Sequence, residues 1–156
     1  MLLDQLNKCI TIPSKSNKTE IYKHLHLIAE KMKRRSLVFL FSDMLQTSVA
    51  QDQLFEALRH LKYNKHEVVL FHVIDREKEV LLDFKNTPRR FLDVETGTHI
   101  DVYPDTIKDS YQKTITDYFA ALRLKCAQYQ IKYVDANVGS DFSKIMTTYL
   151  IERQKF

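Results

Sequence analysis

Three aspartates that follow or end apolar segments are the residues of this chain best placed for chemistry. Asp43 comes just after the run Leu37–Phe41, Asp75 ends a second apolar segment, and Asp135 lies in a third. In an open α/β sheet, ligands bind at the carboxyl ends of the strands. Three carboxylates gathered there could support two-metal hydrolysis, so a metal-dependent hydrolase is one hypothesis. It requires their oxygens to approach a single point.

The apolar pattern predicts an α-β-α-β-hairpin-α-β-α order. Five consecutive apolar residues, Leu37–Phe41, are typical of a strand buried on both faces of a parallel sheet. Gly97 falls in a short turn between two strand-like segments, where a positive φ is expected. The remaining elements are expected as helices over 18–34, 50–62 (entered near Asp52) and 104–129, a last helix capped by Asp141, and strands over 67–75 and 132–136.

These elements predict an α/β fold of three layers, with an open, mostly parallel sheet and an inserted β-hairpin. At 156 residues and 44% hydrophobic, the chain can build one core, so residues 1–156 are expected to form a single domain. Two glycines are too few for a Gly-rich phosphate loop. No apolar run reaches the roughly 18–20 residues of a membrane span, and no secretory signal is visible. A cytoplasmic protein is expected.

Cysteines, histidines and basic residues indicate structural roles. The two cysteines lack metal-ligand spacing, and Cys126 is expected to be buried. The six histidines show no ligand spacing either; His24 and His26 should face different ways on a helix. The net charge of +4 includes a basic cluster at Lys31–Arg35, which fits a solvated helix end. Nucleic-acid binding would require Arg34, Arg35, Arg89 and Arg90 on one face, and is not expected.

Several motifs resemble one bacterial family. They are RRSLVFLFSD at Arg34–Asp43, FLDVETG at Phe91–Gly97, and the segments Lys18–Ile21, Tyr111–Cys126 and Tyr133–Asp135. Together they resemble the C-terminal part of the domain-of-unknown-function 58 family, from about residue 5 onward. The resemblance implies a von Willebrand factor A-like (Rossmann-like) domain. It also implies a MoxR-type AAA+ ATPase as a protein partner, since such ATPases are commonly encoded beside the family.

The resemblance further implies a metal-ion-dependent adhesion site, in which Mg²⁺ is held by a D-x-S-x-S loop, a threonine and an aspartate. Thr19 and Asp43 match the threonine and the aspartate, whereas no D-x-S-x-S is present and Glu20 replaces an aspartate. Two ligands are too few for an octahedral cation. We therefore expect a degenerate site without a cofactor, where Mg²⁺ binds only if the missing motif is supplied. Thr19 would then lie in a helix-start turn, and Asp43 would cap its strand end.

A von Willebrand factor A-like sheet would lack its N-terminal strands here, because only Cys9–Ile12 is strand-like before the first helix. Leu37–Phe41 would then form an open apolar edge, which soluble proteins rarely leave uncovered. We expect residues 3–13, or a second copy of the chain in a homodimer, to cover it. The function expected overall is that of a non-catalytic module that binds protein, with the hydrolase as the alternative.

Overall fold

The computed structural model describes residues 4, 7–8, 11, 21–33, 35–45, 48–84, 89–92 and 97–154. The elements in chain order are α1 (Ile21–Lys31), β1 (Leu37–Ser42), α2 (Ser48–Tyr63), β2 (Glu67–Ile74), a turn of π-helix (Arg76–Val80), β3 (Arg89–Leu92), β4 (His99–Val102), α3 (Pro104–Gln128), β5 (Lys132–Asn137) and α4 (Phe142–Arg153). This order confirms the predicted alternation of helices and strands. Among the described residues, a π-helical turn is added to this order, and residues 4, 7–8 and 11 are also helical.

The main sheet has three parallel strands in the order β1-β2-β5. In its register, His72 of β2 lies opposite Ser42 of β1 and Asp135 of β5. Strands β3 and β4 pair antiparallel as a separate two-stranded unit, which confirms the predicted hairpin. The chain therefore has an open α/β, Rossmann-like fold in which β1 and β5 are the edges of the sheet that the described residues form.

The sheet is packed between helices on both faces, in three layers. Alternate strand residues point to opposite faces, so Leu70 joins the core formed with α1, α2 and α3, whereas Phe71 joins the one formed with α4. Cys126 is fully buried in the first core, as predicted, and burial raises the pKa of its thiol to about 11. Such a thiol stays protonated and unreactive at neutral pH.

The prediction that β1 is buried on both faces is wrong. Leu40 is buried on the α1–α3 side, but Phe39 and Phe41 on the other side are 38% and 48% exposed. Helix α4 contacts these two rings through Tyr149 and Phe142 and leaves both of them partly exposed. The sequence run is apolar throughout because one face meets a core and the other forms an aromatic surface.

Two helix starts test the predicted caps. Asp141 caps α4 as predicted, because its Oδ1 accepts the backbone N–H of Ser143 at 2.9 Å. Helix α2 instead begins at Ser48, four residues before the predicted entry at Asp52. The Asp52 carboxylate is paired with Lys125 Nζ at 2.6 Å, which ties α2 to α3. The start of the first predicted helix, residues 18–20, lies outside the described residues.

The N-terminal segment is described at only a few positions. Of the strand-like residues Cys9–Ile12, only Thr11 is described, and it is helical: its hydroxyl donates to the carbonyl of Asn7 at 3.0 Å. The prediction that residues 3–13 cover the β1 edge lies largely outside the described residues. Within the described part of the chain, no helix combines the length and apolarity that crossing a membrane requires.

Gly97 has a φ of +72°, as its place in the hairpin turn predicts. A Cβ there would meet open space, so the cost of a side chain comes from the backbone alone. We expect Gly97→Ala to lower the free energy of unfolding by about 1–2 kcal/mol. Gly139 lacks a positive φ and has ordinary room for a Cβ, so Gly139→Ala should change it by much less. Chemical denaturation of both variants checks the difference; equal effects would contradict it.

Candidate functional site

Asp43 lies exposed at the carboxyl end of β1, where the sequence predicted it. Its Oδ1 accepts the backbone N–H of Leu45 at 3.2 Å, so the carboxylate closes the turn that follows the strand. This is the strand-end capping role that the sequence predicts for Asp43. Thr19, the other predicted ligand, lies outside the described residues.

Met44 anchors the loop that carries Asp43, because its side chain is only 1% exposed and packs in the core. Met44 has a φ of +57°, a left-handed conformation that a non-glycine residue adopts at a cost. Its N–H donates to Ser42 Oγ at 3.1 Å, and its carbonyl accepts a short hydrogen bond from the Tyr118 hydroxyl. Gln51 Nε2 in turn donates to Tyr118 at 2.8 Å. The loop is therefore held by side chains from α2 and α3.

His72 holds the same loop from β2 and is 1% exposed. Its Nε2 donates to the carbonyl oxygen of Asp43 at 2.9 Å, because a carbonyl can only accept. A neutral ring then accepts at Nδ1, so the Tyr133 hydroxyl donates to it at 2.5 Å. The Phe119 ring packs edge-to-face against the imidazole, with the two ring centroids 4.6 Å apart. Burial lowers the pKa of His72, against the opposing effects of the Asp43 carbonyl and the Asp135 charge.

Asp135 lies beside this network on β5 and is engaged by arginines. Arg123 Nη2 donates to both carboxylate oxygens, at 3.2 and 3.0 Å, and Arg76 Nη2 lies 3.5 Å from Oδ2. The Tyr133 hydroxyl is 3.2 Å from the same carboxylate. Burial, with the nearby Asp135 charge, raises the pKa of Tyr133 far above its usual range, so it remains a hydrogen-bond donor.

Asp75 stabilises the turn after β2 through its carboxylate. Its Oδ1 accepts the Lys78 backbone N–H at 3.2 Å, and Oδ2 pairs with Lys78 Nζ at 3.1 Å. The hydrogen bond from the Lys78 backbone, with that from its side chain, lowers the pKa of Asp75. Among the described residues, which include Asp43, Asp75 and Asp135, no group of three or more His, Cys, Asp or Glu side chains could hold a metal ion. The three strand-end carboxylates therefore serve separate local contacts.

A second surface lies along the open edge of β1. Phe39, Phe41 and Phe142 are 38%, 48% and 49% exposed, and we call them the aromatic patch. Buried Phe71 supports all three rings: it stacks on Phe41 at 4.7 Å and meets Phe39 edge-to-face at 5.5 Å. Tyr149 adds an edge-to-face contact with Phe39 at 5.6 Å. Interlocked rings lose little conformational freedom on binding, which suits a contact surface.

Residues 2–120 match the family model described as "Protein of unknown function DUF58". The chain belongs to this family. A search of curated proteins and a search of solved structures each gave no significant match. Within this DUF58 chain, Asp43, His72 and the aromatic residues of β1 lie in the matched region. Tyr133, Asp135 and all of α4 lie beyond it.

Sequence reasoning missed His72 as the organiser of this edge of the DUF58 chain. The absence of ligand spacing predicts only a structural role for the histidines, and the structure places His72 in the core with both ring nitrogens hydrogen-bonded. The available signal was a histidine inside the otherwise apolar segment Val68–Ile74, where an unpartnered imidazole would be costly. Its partners Tyr133 and Asp43 are 61 and 29 residues away, so no local spacing reveals them.

The local roles of the carboxylates lead to a prediction about cations. We expect no binding of Mg²⁺ or Mn²⁺ tighter than millimolar, because Asp43 caps a turn and lacks the D-x-S-x-S loop as a co-ligand. Isothermal titration of the chain with MgCl₂ and MnCl₂ measures this. A micromolar affinity that Asp43→Ala abolishes would show the prediction to be wrong.

The lowered pKa of His72 predicts how stability depends on pH. The folded state resists protonation of His72 while the unfolded state titrates near 6.5, so the unfolded state binds more protons as the pH falls. The stabilisation is complete above about pH 6.5 and is lost as the pH drops toward the folded pKa. Denaturation between pH 7.5 and 5 should show this loss. Replacing exposed His99 with glutamine should preserve it, and His72→Gln should reduce it.

Proposed function

We infer that this chain is a non-catalytic protein-interaction module whose binding surface is the β1 edge with the aromatic patch. The observation that carries the proposal is an exposed aromatic surface beside a strand that has a neighbour on only one side among the described residues. A parallel sheet is normally covered on both faces. Exposed apolar surface of this kind marks contact sites in soluble proteins.

The chemistry of β1 favours strand addition by a partner. Its six residues, Leu37–Ser42, carry no charge, although natural edge strands usually carry lysine or proline against unwanted pairing. An added strand would gain main-chain hydrogen bonds from the edge, and its side chains would cover Phe39 and Phe41. The local hydrogen bonds of Ser42–Leu45 hold the end of β1 in one place. They therefore limit the registers in which an added strand can pair with β1.

A second copy of the chain is the occupant we assign to the edge. An uncharged apolar strand is self-complementary, so two β1 strands can pair across a two-fold axis and bring both aromatic patches together. Residues 3–13 are the other candidate cover, but Thr11, the one described residue of their strand-like stretch Cys9–Ile12, is helical. The homodimer would join two three-stranded sheets into one.

The wider context we propose follows from family membership. The open α/β sheet is compatible with a von Willebrand factor A-like domain, with Thr19 and Asp43 as remnants of a metal-ion-dependent adhesion site. A MoxR-type AAA+ ATPase is then the partner of the module, in a bacterial cytoplasm. The hydrolase alternative receives no support, because the described carboxylates form no metal-binding group.

Binding to the ATPase tests this context. The chain is immobilised, and the MoxR-type ATPase encoded nearest to its gene is passed over it with ATP and with ADP. We expect saturable binding that unrelated AAA+ ATPases do not show. Absence of binding in both nucleotide states would contradict the proposed partner while leaving the β1 interface to be tested by self-association.

A further inference from the structure

Two histidines from different helices face each other in a cleft away from the sheet edge. His26 of α1 and His60 of α2 have their Nδ1 atoms 3.1 Å apart and their ring centroids 5.4 Å apart. Their chain neighbours Leu25 and Leu61 are 4% and 0% exposed in the core that joins the two helices. The packing of α1 on α2 therefore fixes the distance between the imidazoles, which lie half-buried at its rim.

The separation of the two nitrogens suits a shared cation. Imidazole nitrogens bind Zn²⁺ at about 2.0–2.1 Å, so two on one ion lie about 2.9–3.4 Å apart for angles between 90° and 109°. The observed 3.1 Å falls within this interval. Without a metal, one Nδ1 must carry a proton and donate it to the other, since two lone pairs would repel. A metal ion would replace that proton.

The cleft around the pair has room for such an ion. It measures about 430 Å³ and is lined by His26, Glu56, Arg59, His60 and Tyr63. Glu56 precedes His60 by one helical turn and so projects from the same side of α2. Among the described residues, no third His, Cys, Asp or Glu side chain completes a ligand group there. An ion at this point would keep water in its other positions.

We propose that His26 and His60 form a binding site for a divalent transition metal of the zinc class. Neutral imidazole prefers Zn²⁺, Ni²⁺ and Cu²⁺ over Mg²⁺ and Ca²⁺, so the site is selective against the hard cations. The ion cross-links α1 to α2 and stabilises the helical layer that covers the sheet. Its affinity is lower than that of a structural zinc site, because only two of the four ligands come from the protein and water supplies the others.

The test is isothermal titration of the full, tag-free chain with ZnCl₂ at pH 7.5, beside a thermal melt with and without the metal. We expect one equivalent to bind and the melting temperature to rise. His26→Gln and His60→Gln should each weaken binding at least about tenfold and remove the thermal shift. His24→Gln is the matched control: His24 is exposed two residues from His26 on the same helix, and its loss should change neither quantity.

A gain-of-affinity variant keeps the test independent of any loss of stability. Glu56→His places a third imidazole one turn before His60, and should tighten Zn²⁺ binding at least about tenfold. Three results would overturn the proposal. The natural chain shows no saturable binding of Zn²⁺, the His26→Gln and His60→Gln variants bind it as tightly as the natural chain does, or His24→Gln weakens binding as much as those two variants do. Each would leave the pair as a direct histidine–histidine hydrogen bond.

Discussion

Replacing His72 with leucine is expected to lower the free energy of unfolding by about 2–4 kcal/mol. Leucine fills a similar volume but leaves the Asp43 carbonyl without its donor, and the Tyr133 hydroxyl loses its closest acceptor and keeps only the Asp135 carboxylate at 3.2 Å. A buried polar group that loses its hydrogen bond costs about 1–3 kcal/mol, and two are affected here. Denaturant titration followed by circular dichroism measures the change.

His66 provides a matched control for that experiment. It is as buried as His72, at 1% exposed, and its Nδ1 accepts the Ser36 N–H at 3.2 Å. Its Nε2 has no hydrogen-bond partner among the described residues, so leucine removes an unsatisfied donor as well as a bond. His66→Leu should therefore cost clearly less than His72→Leu. Equal losses would mean that burial alone, and not the hydrogen bonds around the Asp43 loop, determines the effect.

Replacing Phe41 with lysine is expected to weaken self-association at least about 30-fold, which corresponds to roughly 2 kcal/mol at a central interface residue. Phe41 is 48% exposed in the aromatic patch, and a lysine there adds charge to both sides of a two-fold contact. Light scattering across a concentration series measures the change. Leu124→Lys is the control, because Leu124 is 62% exposed on α3, on the helical layer across the sheet from the patch.

A folded variant is required for that comparison. Phe41 stacks on Phe71 at 4.7 Å, so its replacement also removes packing within the chain. Phe39→Lys provides a second variant, since Phe39 meets Phe71 at 5.5 Å from the neighbouring position on the same face. Both variants should keep the circular dichroism of the natural chain. Unchanged self-association in both folded variants would exclude the patch as the contact.

The fold was predictable because hydrophobic periodicity reports local structure directly. The bounds of β1 and the cap at Asp141 agree with the sequence prediction, since both depend on neighbouring residues. The exposure of Phe39 and Phe41 was not predictable, because the same apolar run fits a strand covered on one face or on two. Coverage depends on where α4 packs, and α4 begins at Phe142, 100 residues after β1 ends at Ser42.

The candidate sites were less predictable than the fold, for the same physical reason. Carboxylates at strand ends suggested a shared ligand, but Asp135 is paired with Arg123 and Asp75 with Lys78. Of these two partners, only Lys78 is near in sequence to the aspartate that it binds. His26 and His60 are 34 residues apart and meet because two helices pack together, so no local ligand spacing predicts the pair. Side-chain convergence is a property of tertiary packing, which periodicity does not encode.

Sedimentation equilibrium of the natural chain at micromolar concentration tests the proposed interface most directly. If two β1 edges pair through their aromatic patches, the measured mass should be twice the chain mass of 18.5 kDa, and Phe41→Lys should return it to that of one chain. A monomer of 18.5 kDa throughout the concentration range, with β1 amides that exchange hydrogen rapidly, would contradict the account.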